Sequence, residues 1–329
     1  MSSATMLAAR YDRAGTAAEV LRVEEIPRPE PGPGEVRVRV AVSGVNPTDW
    51  KQRTGMTITI DGPRVPNQDG AGTIDAVGPG VDESRVGERV WIYLAVAQRV
   101  WGTAAQWSVV PQERAVRLPD DASFDLGASI GVPALTAYHC LFSDGPVAGR
   151  DVLVAGGAGA VGHAAIELAR HNGARVIATA STDQKRELSR AAGADVVVDY
   201  RAADAAKQIR AAAPDGVARV AEVALPANLE LDLAVCTPNA TVVVYADTGP
   251  GEVTLPVRRL MTANFAVRFV MLYGIGPVRL AEAVAGVSDA LAAGALTTLP
   301  LHRFSLEQTA AAHDAVEGGA VGKVLIDVP

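Results

Sequence analysis

The run that most constrains this chain is Asp151-Val-Leu-Val-Ala-Gly-Gly-Ala-Gly-Ala-Val-Gly162, in which a short apolar strand passes through glycines into the helical stretch Ala160–His171. A strand that turns on glycines and restarts as a helix is the opening of a βαβ unit. The rest of this half repeats the unit. The apolar runs RVIATA, DVVVDY, VARVAEVA and TVVVYAD alternate with helical stretches at Thr182–Ala192 and Asn228–Cys236, and a sixth run, Ala266–Tyr273, precedes a helix near Val278–Ala293. Such alternation builds a parallel sheet with helices on both faces. The expected fold class is α/β, with a doubly wound Rossmann sheet after about residue 124.

The chain before Phe124 has another texture. Glu35–Val45 alternates as EVRVRVAVSGV, and Gly72–Val77 and Arg89–Leu94 follow between Pro- and Gly-rich breaks, which reads as a mostly β domain. Pro27, Pro29, Pro31 and Pro33 mark either an interdomain linker or a stiff connection between strands. No repeat of fixed period is present.

Glycines at Gly156, Gly157, Gly159 and Gly162 spell either GxGxxG or GxxGxxG, with Ala158, Ala160 and Val161 between them. In either spelling the missing side chains let backbone approach a pyrophosphate at a helix N-terminus. Simple strand–helix packing is the alternative. An acid some 20 residues further on would hold both hydroxyls of the NAD ribose. Here the strand ends in Ala178-Thr-Ala-Ser181, with Lys185 and Arg186 following. A hydroxyl and an ammonium suit a 2′-phosphate, so Ser181 and Lys185 favour NADPH, while Arg186 reads as a solvated helix residue.

Composition narrows the partners. With 329 residues, 49% of them hydrophobic, the chain can bury a large core, and its net charge of −7 provides no basic field for nucleic acid or anionic membranes. Cys140 and Cys236 stand far apart without metal or disulfide spacing, which suits a reducing compartment. No targeting segment or bilayer span is expected, and the location expected is cytoplasmic.

The segments GVNPTDWKQRTG (44–55), QDGAGTIDAVGPGV (68–81), GVPALTAY (131–138), GGAGAVG (156–162), GADVVVDYR (193–201) and GKVLIDV (322–328) together resemble the zinc-free quinone oxidoreductase branch, with its zeta-crystallin-like proteins, of the medium-chain dehydrogenase/reductase superfamily. The resemblance covers almost the whole chain. Ala160, Glu167 and Arg150 depart from the family's pattern around the glycines. It implies a β-rich, GroES-like catalytic domain over residues 1–123, completed by 275–329, and a Rossmann dinucleotide-binding domain over 124–274. It also implies that Asn46 and Gln68 stand where zinc-dependent relatives carry a cysteine and a histidine. Asn46 and Asp49 match the family's NxxD positions, and Lys51 replaces a frequent tyrosine. Tyr200 matches a position beside the adenine ribose. Tyr245–Thr248, including Ala246, and Phe269, Val270 and Met271 match segments that bind the nicotinamide carboxamide through main chain. The family pairs its last Rossmann strand across a two-fold axis, so a homodimer through Phe265–Tyr273 is expected.

Chemistry follows from the two amides. Zinc prefers thiolate and imidazole, and without a metal the deprotonation of an unactivated alcohol is unfavourable. No tyrosine has a lysine four residues later to replace it. The remaining acceptor is one already electrophilic, a small-molecule quinone or α,β-unsaturated carbonyl that takes hydride from NADPH. Asn46 and Lys51 are candidate donors to the developing oxyanion, against the plainer roles of turn cap and solvated lysine. Trp50, Tyr93, Trp101 and Trp107 are either a flat ring-binding wall or core. Two further readings stay open: a reductase of biosynthetic enoyl intermediates, and a catalytically silent NADPH-binding protein.

Overall fold

Glu35–Val45, the longest strand of the front half, is paired along both edges. Asp69–Val77 runs antiparallel along one side, while Trp107–Pro111 covers the Glu35–Arg39 end of the other and Lys323–Asp327 the Val42–Val45 end. The full sheet has seven strands, in the order Leu301–Ser305, Lys323–Asp327, Glu35–Val45, Asp69–Val77, Arg89–Ile92 and Ala115–Arg117, with Trp107–Pro111 pairing onto Glu35–Val45. The sequence alternation puts Val36, Val38, Val40 and Val42 in the core. Its polar face is partly covered too. Arg37 is buried because its guanidinium bonds Asp75 (Nε to Oδ1 2.9 Å).

The computed structural model describes residues 5–247 and 251–329. Two compact units divide the chain: residues 1–132 with 300–329, and residues 133–299. Of the four alternating prolines, Pro27 ends Arg22–Pro27 and the other three lie between it and Glu35–Val45, both in the first unit, so they form a connection between strands. That connection packs closely: a Cβ on Gly78 would stand 1.8 Å from the Gly32 carbonyl oxygen.

The second unit holds six parallel strands: β1 (Asp151–Val154), β2 (Arg175–Thr179), β3 (Val196–Val198), β4 (Val217–Glu222), β5 (Cys236–Val244) and β6 (Ala266–Phe269). Their order in the sheet is β3-β2-β1-β4-β5-β6, the doubly wound arrangement in which the chain reverses direction between β1 and β4. Leu153, Ile177, Val220 and Val242 fill one side of its core. The sixth apolar run is strand only to Phe269, because after the Val270 N–H bonds the Val244 carbonyl (2.8 Å) the chain turns through Leu272–Gly274. β6 is an edge, as its place last in the sheet led us to expect. All six strands end on the same side of the sheet, which brings the glycine turn, Ser181, Val223, Tyr245 and Val270 to its carboxyl edge.

Candidate active site

The glycine turn follows β1 and enters the helix Ala160–His171. Its glycines differ in the space they have. Gly156 has φ +70°, a conformation costly for any residue with a Cβ, and makes the turn. A Cβ on Gly162 would stand 2.3 Å from the Gly156 carbonyl oxygen, and one on Gly157 would meet Ser189, Ala178 and Ile166 within 2.9 Å, so both serve packing. Gly159 is exposed and would meet only the Gly156 oxygen, at 3.4 Å. Tight turn, open approach and helix packing therefore fall on Gly156, Gly159 and Gly162, the GxxGxxG spelling. Thr179 at the end of β2 holds the turn: its hydroxyl accepts from Gly156 N–H (3.3 Å) and its carbonyl from Gly157 N–H (3.0 Å). Ala158 is buried beneath the turn, while Ala160 and Val161 open the helix with N–H groups that have no intrahelical acceptor. These residues fit a dinucleotide pyrophosphate: the one position a Cβ would fill is open, and the surrounding donors are main chain.

In the first unit, Asn46 ends Glu35–Val45 and precedes the short helix Pro47–Arg53. Its side chain is buried and held at both ends. Lys323 Nζ donates to Asn46 Oδ1 (2.7 Å), and Asn46 Nδ2 donates to Asp69 Oδ2 (2.6 Å). Asp69 also accepts from Val132 N–H at 2.9 and 3.0 Å. Asp49 accepts from Asn46 N–H (2.7 Å) and Gln68 N–H (3.1 Å), so its carboxylate closes the first turn of the helix. Burial pushes Asp49 up to about 8 and Asp69 up to about 6, against the pull of these donors and of Lys323, whose own ammonium is lowered by burial. Gln68 is engaged as well: Oε1 accepts from Val96 N–H (3.1 Å) and Nε2 donates to Gln52 (3.3 Å). Lys51 is half-buried, its ammonium 6.0 Å from the Trp50 ring centroid. Tyr93 is buried with its hydroxyl on the Glu113 carbonyl (3.0 Å), Trp107 bonds Asp75 (2.8 Å), and Trp101 packs against the core.

Two family models match: one described as alcohol dehydrogenase GroES-like domain over residues 32–120, and one described as zinc-binding dehydrogenase over residues 160–289. The quinone oxidoreductase of Lama guanicoe is 30% identical over 288 residues, 86% of each chain. The chain belongs to the quinone oxidoreductase branch of the medium-chain dehydrogenase/reductase superfamily. A mycobacterial structure complexed with NADPH, 32% identical, aligns with a TM-score of 0.83 over 98% of this chain and 99% of that one. A phenolphthiocerol/phthiocerol polyketide synthase subunit of Mycobacterium tuberculosis is 30% identical over 94% of this chain, which spans 14% of that protein. This family member is an oxidoreductase that uses a nicotinamide cofactor and a small-molecule substrate. Among its described residues no helix is long and apolar enough to cross a membrane.

In this chain, Ser181 and Lys185 stand after β2, both partly exposed. Arg186 and Arg201 join them. Both guanidiniums bond Asp199 and the Ser181 carbonyl; the Arg186 contacts are 3.1 and 3.4 Å, and Arg201 also reaches Asp199 Oδ1 at 3.1 Å. The Arg201 N–H and then these side chains hold Asp199 below the usual carboxylate range. Arg186 is thus not simply solvated, as the sequence suggested; it is tied to Asp183 and Asp199. Tyr200 is 44% exposed beside them. Tyr245 and Ala246 follow β5, with the Tyr245 hydroxyl pushed well up by burial; Thr248 lies outside the described residues. Phe269 and Met271 are largely exposed, and Val270 is half-buried.

Sequence reasoning missed Asp69, Lys323, Arg201 and a second acid pair, Glu222 with Asp232. Lys323 opens the apolar run KVLIDV, where a charge facing the core is the signal. Asp232 shares the buried face of the helix Leu225–Val235 with Leu225, Leu229 and Val235, a legible position for a buried acid.

Proposed function

We propose that this protein transfers hydride from NADPH to a quinone or α,β-unsaturated carbonyl without zinc. The observation that carries this reading is the state of the two amides, Asn46 and Gln68. Each side-chain oxygen already accepts a hydrogen bond from the protein, from Lys323 and from Val96 N–H respectively. Neutral amides so engaged do not offer zinc the thiolate or imidazole it prefers. The substrate must then be electrophilic without a Lewis acid, and quinones and enones meet that condition.

The reduced nicotinamide supplies the hydride when bound. Two electrons and a hydrogen pass to the acceptor, the negative charge develops on its oxygen, and a proton from water completes reduction. Asn46 has one amide hydrogen beyond the one given to Asp69, and with the half-buried Lys51 ammonium it supplies donors for that oxygen. Asp49 positions Asn46 through its main chain. Gly156–Gly162 receive the pyrophosphate, Ser181, Lys185 and the adjoining arginines favour a 2′-phosphate, and Tyr200 lies beside the adenine ribose. The main chain at Tyr245–Ala246 and Phe269–Met271 forms the nicotinamide shelf. The first unit is thus the catalytic domain and the second binds the cofactor.

The protein is expected to be cytoplasmic and homodimeric. The β6 edge with the largely exposed Phe269 and Met271 supports the dimer. Val270→Lys should dissociate it, and light scattering that reports only a 34.0 kDa monomer for the unaltered chain would contradict it. Zinc independence is tested by elemental analysis and chelation. We expect no stoichiometric zinc and unchanged NADPH oxidation after chelation; one zinc per chain, with activity lost on its removal, would overturn the reading.

A further inference from the structure

Glu222 ends β4, and its side chain turns back to the start of the next helix, where Oε1 accepts from the Ala224 N–H and from Asn228 Nδ2 (2.9 Å). The other oxygen, Oε2, and both oxygens of Asp232 are buried and have no donor among the described residues. The two carboxyls face one another. Two acceptor-only groups in contact cannot both be satisfied as anions, whereas one proton shared between them provides the missing donor. A cation would be the other solution. Among the described residues, the groups acting on the pair include none: the donors are the Val223 and Ala224 N–H groups and Asn228 on the same link and helix, while Cys236, the first residue of β5, and Tyr245, just after it, are both neutral and raised by burial. Arg210 and Cys140 act one step further out, on Cys236 and Tyr245 respectively.

The pair stands at a mechanical junction. Between Glu222 and the helix lie only Val223 and Ala224, and Glu222 holds the second of these by its N–H. Val223 Cγ1 lies 3.2 Å from where a Cβ on Gly156 would be, so this short link backs directly onto the glycine turn. At the same strand end, Tyr245 N–H bonds the Glu222 carbonyl (3.0 Å) and Ala155 N–H the Ala221 carbonyl (3.0 Å).

We propose that Asp232 is a positioning residue for cofactor binding: it lends Glu222 a single proton, and the protonated pair fixes Val223–Ala224 against the glycine turn. Losing that proton sets two buried anions against each other and loosens the link. Dinucleotide affinity then falls as pH rises. The inference rests on the reading of Gly156–Gly162 as the pyrophosphate turn.

The test compares the full-length protein with Asp232→Asn, whose amide donates to Glu222 without titrating; Glu222→Gln, which also leaves one acid and one amide, repeats it should the first variant not fold. Because the folded pair keeps a proton that the unfolded chain gives up, stability is whole below the ordinary carboxylate range and lost as pH rises toward the folded value. Denaturation without cofactor, between about pH 5 and pH 9, should show the unaltered protein losing stability relative to the variant, by up to about tenfold in the unfolding constant per pH unit. NADPH titration over the same range should show its affinity falling at least about threefold relative to the variant, a ratio in which the nucleotide's own ionisation cancels. Parallel denaturation profiles would overturn the shared proton, and parallel affinity profiles the positioning role. Absence of NADPH binding by either protein would instead overturn the cofactor reading on which the positioning rests.

Discussion

Each unit buries two carboxyl groups beside its candidate site, and the two pairs solve the same electrostatic problem differently. Asp49 and Asp69 share their surroundings with Lys323 and with main-chain N–H donors. Glu222 and Asp232 have main-chain and amide donors on one oxygen only, and no cation acts on them among the described residues. A buried anion must be matched by a positive charge or become neutral. The first cluster uses a lysine brought in by the C-terminal strand, together with a carboxyl, Asp49, that burial pushes up to about 8, and the second uses a proton alone. A lysine is a permanent feature of the fold, whereas a proton is exchanged with solvent, so solution pH should act on the two units through different residues.

The largest expected effect comes from removing the cation. Lys323→Met leaves Asn46 Oδ1 buried without its donor and Asp69 without its nearby positive charge, and should cost about 3–5 kcal/mol, read by urea denaturation. A loss below about 1 kcal/mol would mean that the lysine is not what neutralises this cluster. Smaller and pH-dependent is the effect of Asp49→Asn. Asp49 and Asp69 are both raised in the folded protein, to about 8 and about 6, chiefly by burial. Their contribution is therefore whole below the ordinary carboxylate range and is lost as pH rises through those values, by at most about 1.4 kcal/mol per group per pH unit. The variant keeps one acceptor oxygen for the Asn46 and Gln68 N–H groups where Asp49 has two, so it should be less stable than the unaltered protein at low pH, with the gap narrowing toward about pH 8. Parallel curves would show that Asp49 keeps an ordinary carboxylate.

A third substitution separates charges that hold the fold from charges that meet a ligand. Lys185→Ala removes a partly exposed cation, so thermal stability should hardly change while NADPH affinity falls about tenfold, roughly 1.4 kcal/mol, and NADH affinity stays the same. Equal losses for both nucleotides would remove Lys185 from the proposed 2′-phosphate site.

The same contrast explains what could be read from the sequence. The glycine turn, the βα alternation and the edge position of β6 are local or periodic features, and each was legible. Strand length at β6 was not, because the apolar run continues through Met271 and Leu272 while the ladder ends at Val270; the turn beyond it depends on hydrogen bonds and not on polarity. Asn46 and Asp49 were found through the family resemblance, because they match its NxxD positions. Lys323 was not, since 277 residues separate it from Asn46 and only the antiparallel register Val324 with Val45 brings them together. Arg201 was hidden because DVVVDY has the pattern of a strand to its end, although β3 stops at Val198 and turns the next residues toward Ser181. Asp232 carried a signal, an acid on the apolar face of its helix, but its meaning depended on Glu222 ten residues earlier.

The most direct test of the central claim is steady-state NADPH oxidation by the chelator-treated protein over a panel of quinones, enones, enoyl thioesters and simple alcohol–aldehyde pairs. The account predicts turnover with at least one quinone or enone, faster with NADPH than with NADH, and none with the alcohol–aldehyde pairs. Turnover of simple aldehydes at rates matching the quinones, or no oxidation with any quinone or enone, would contradict it.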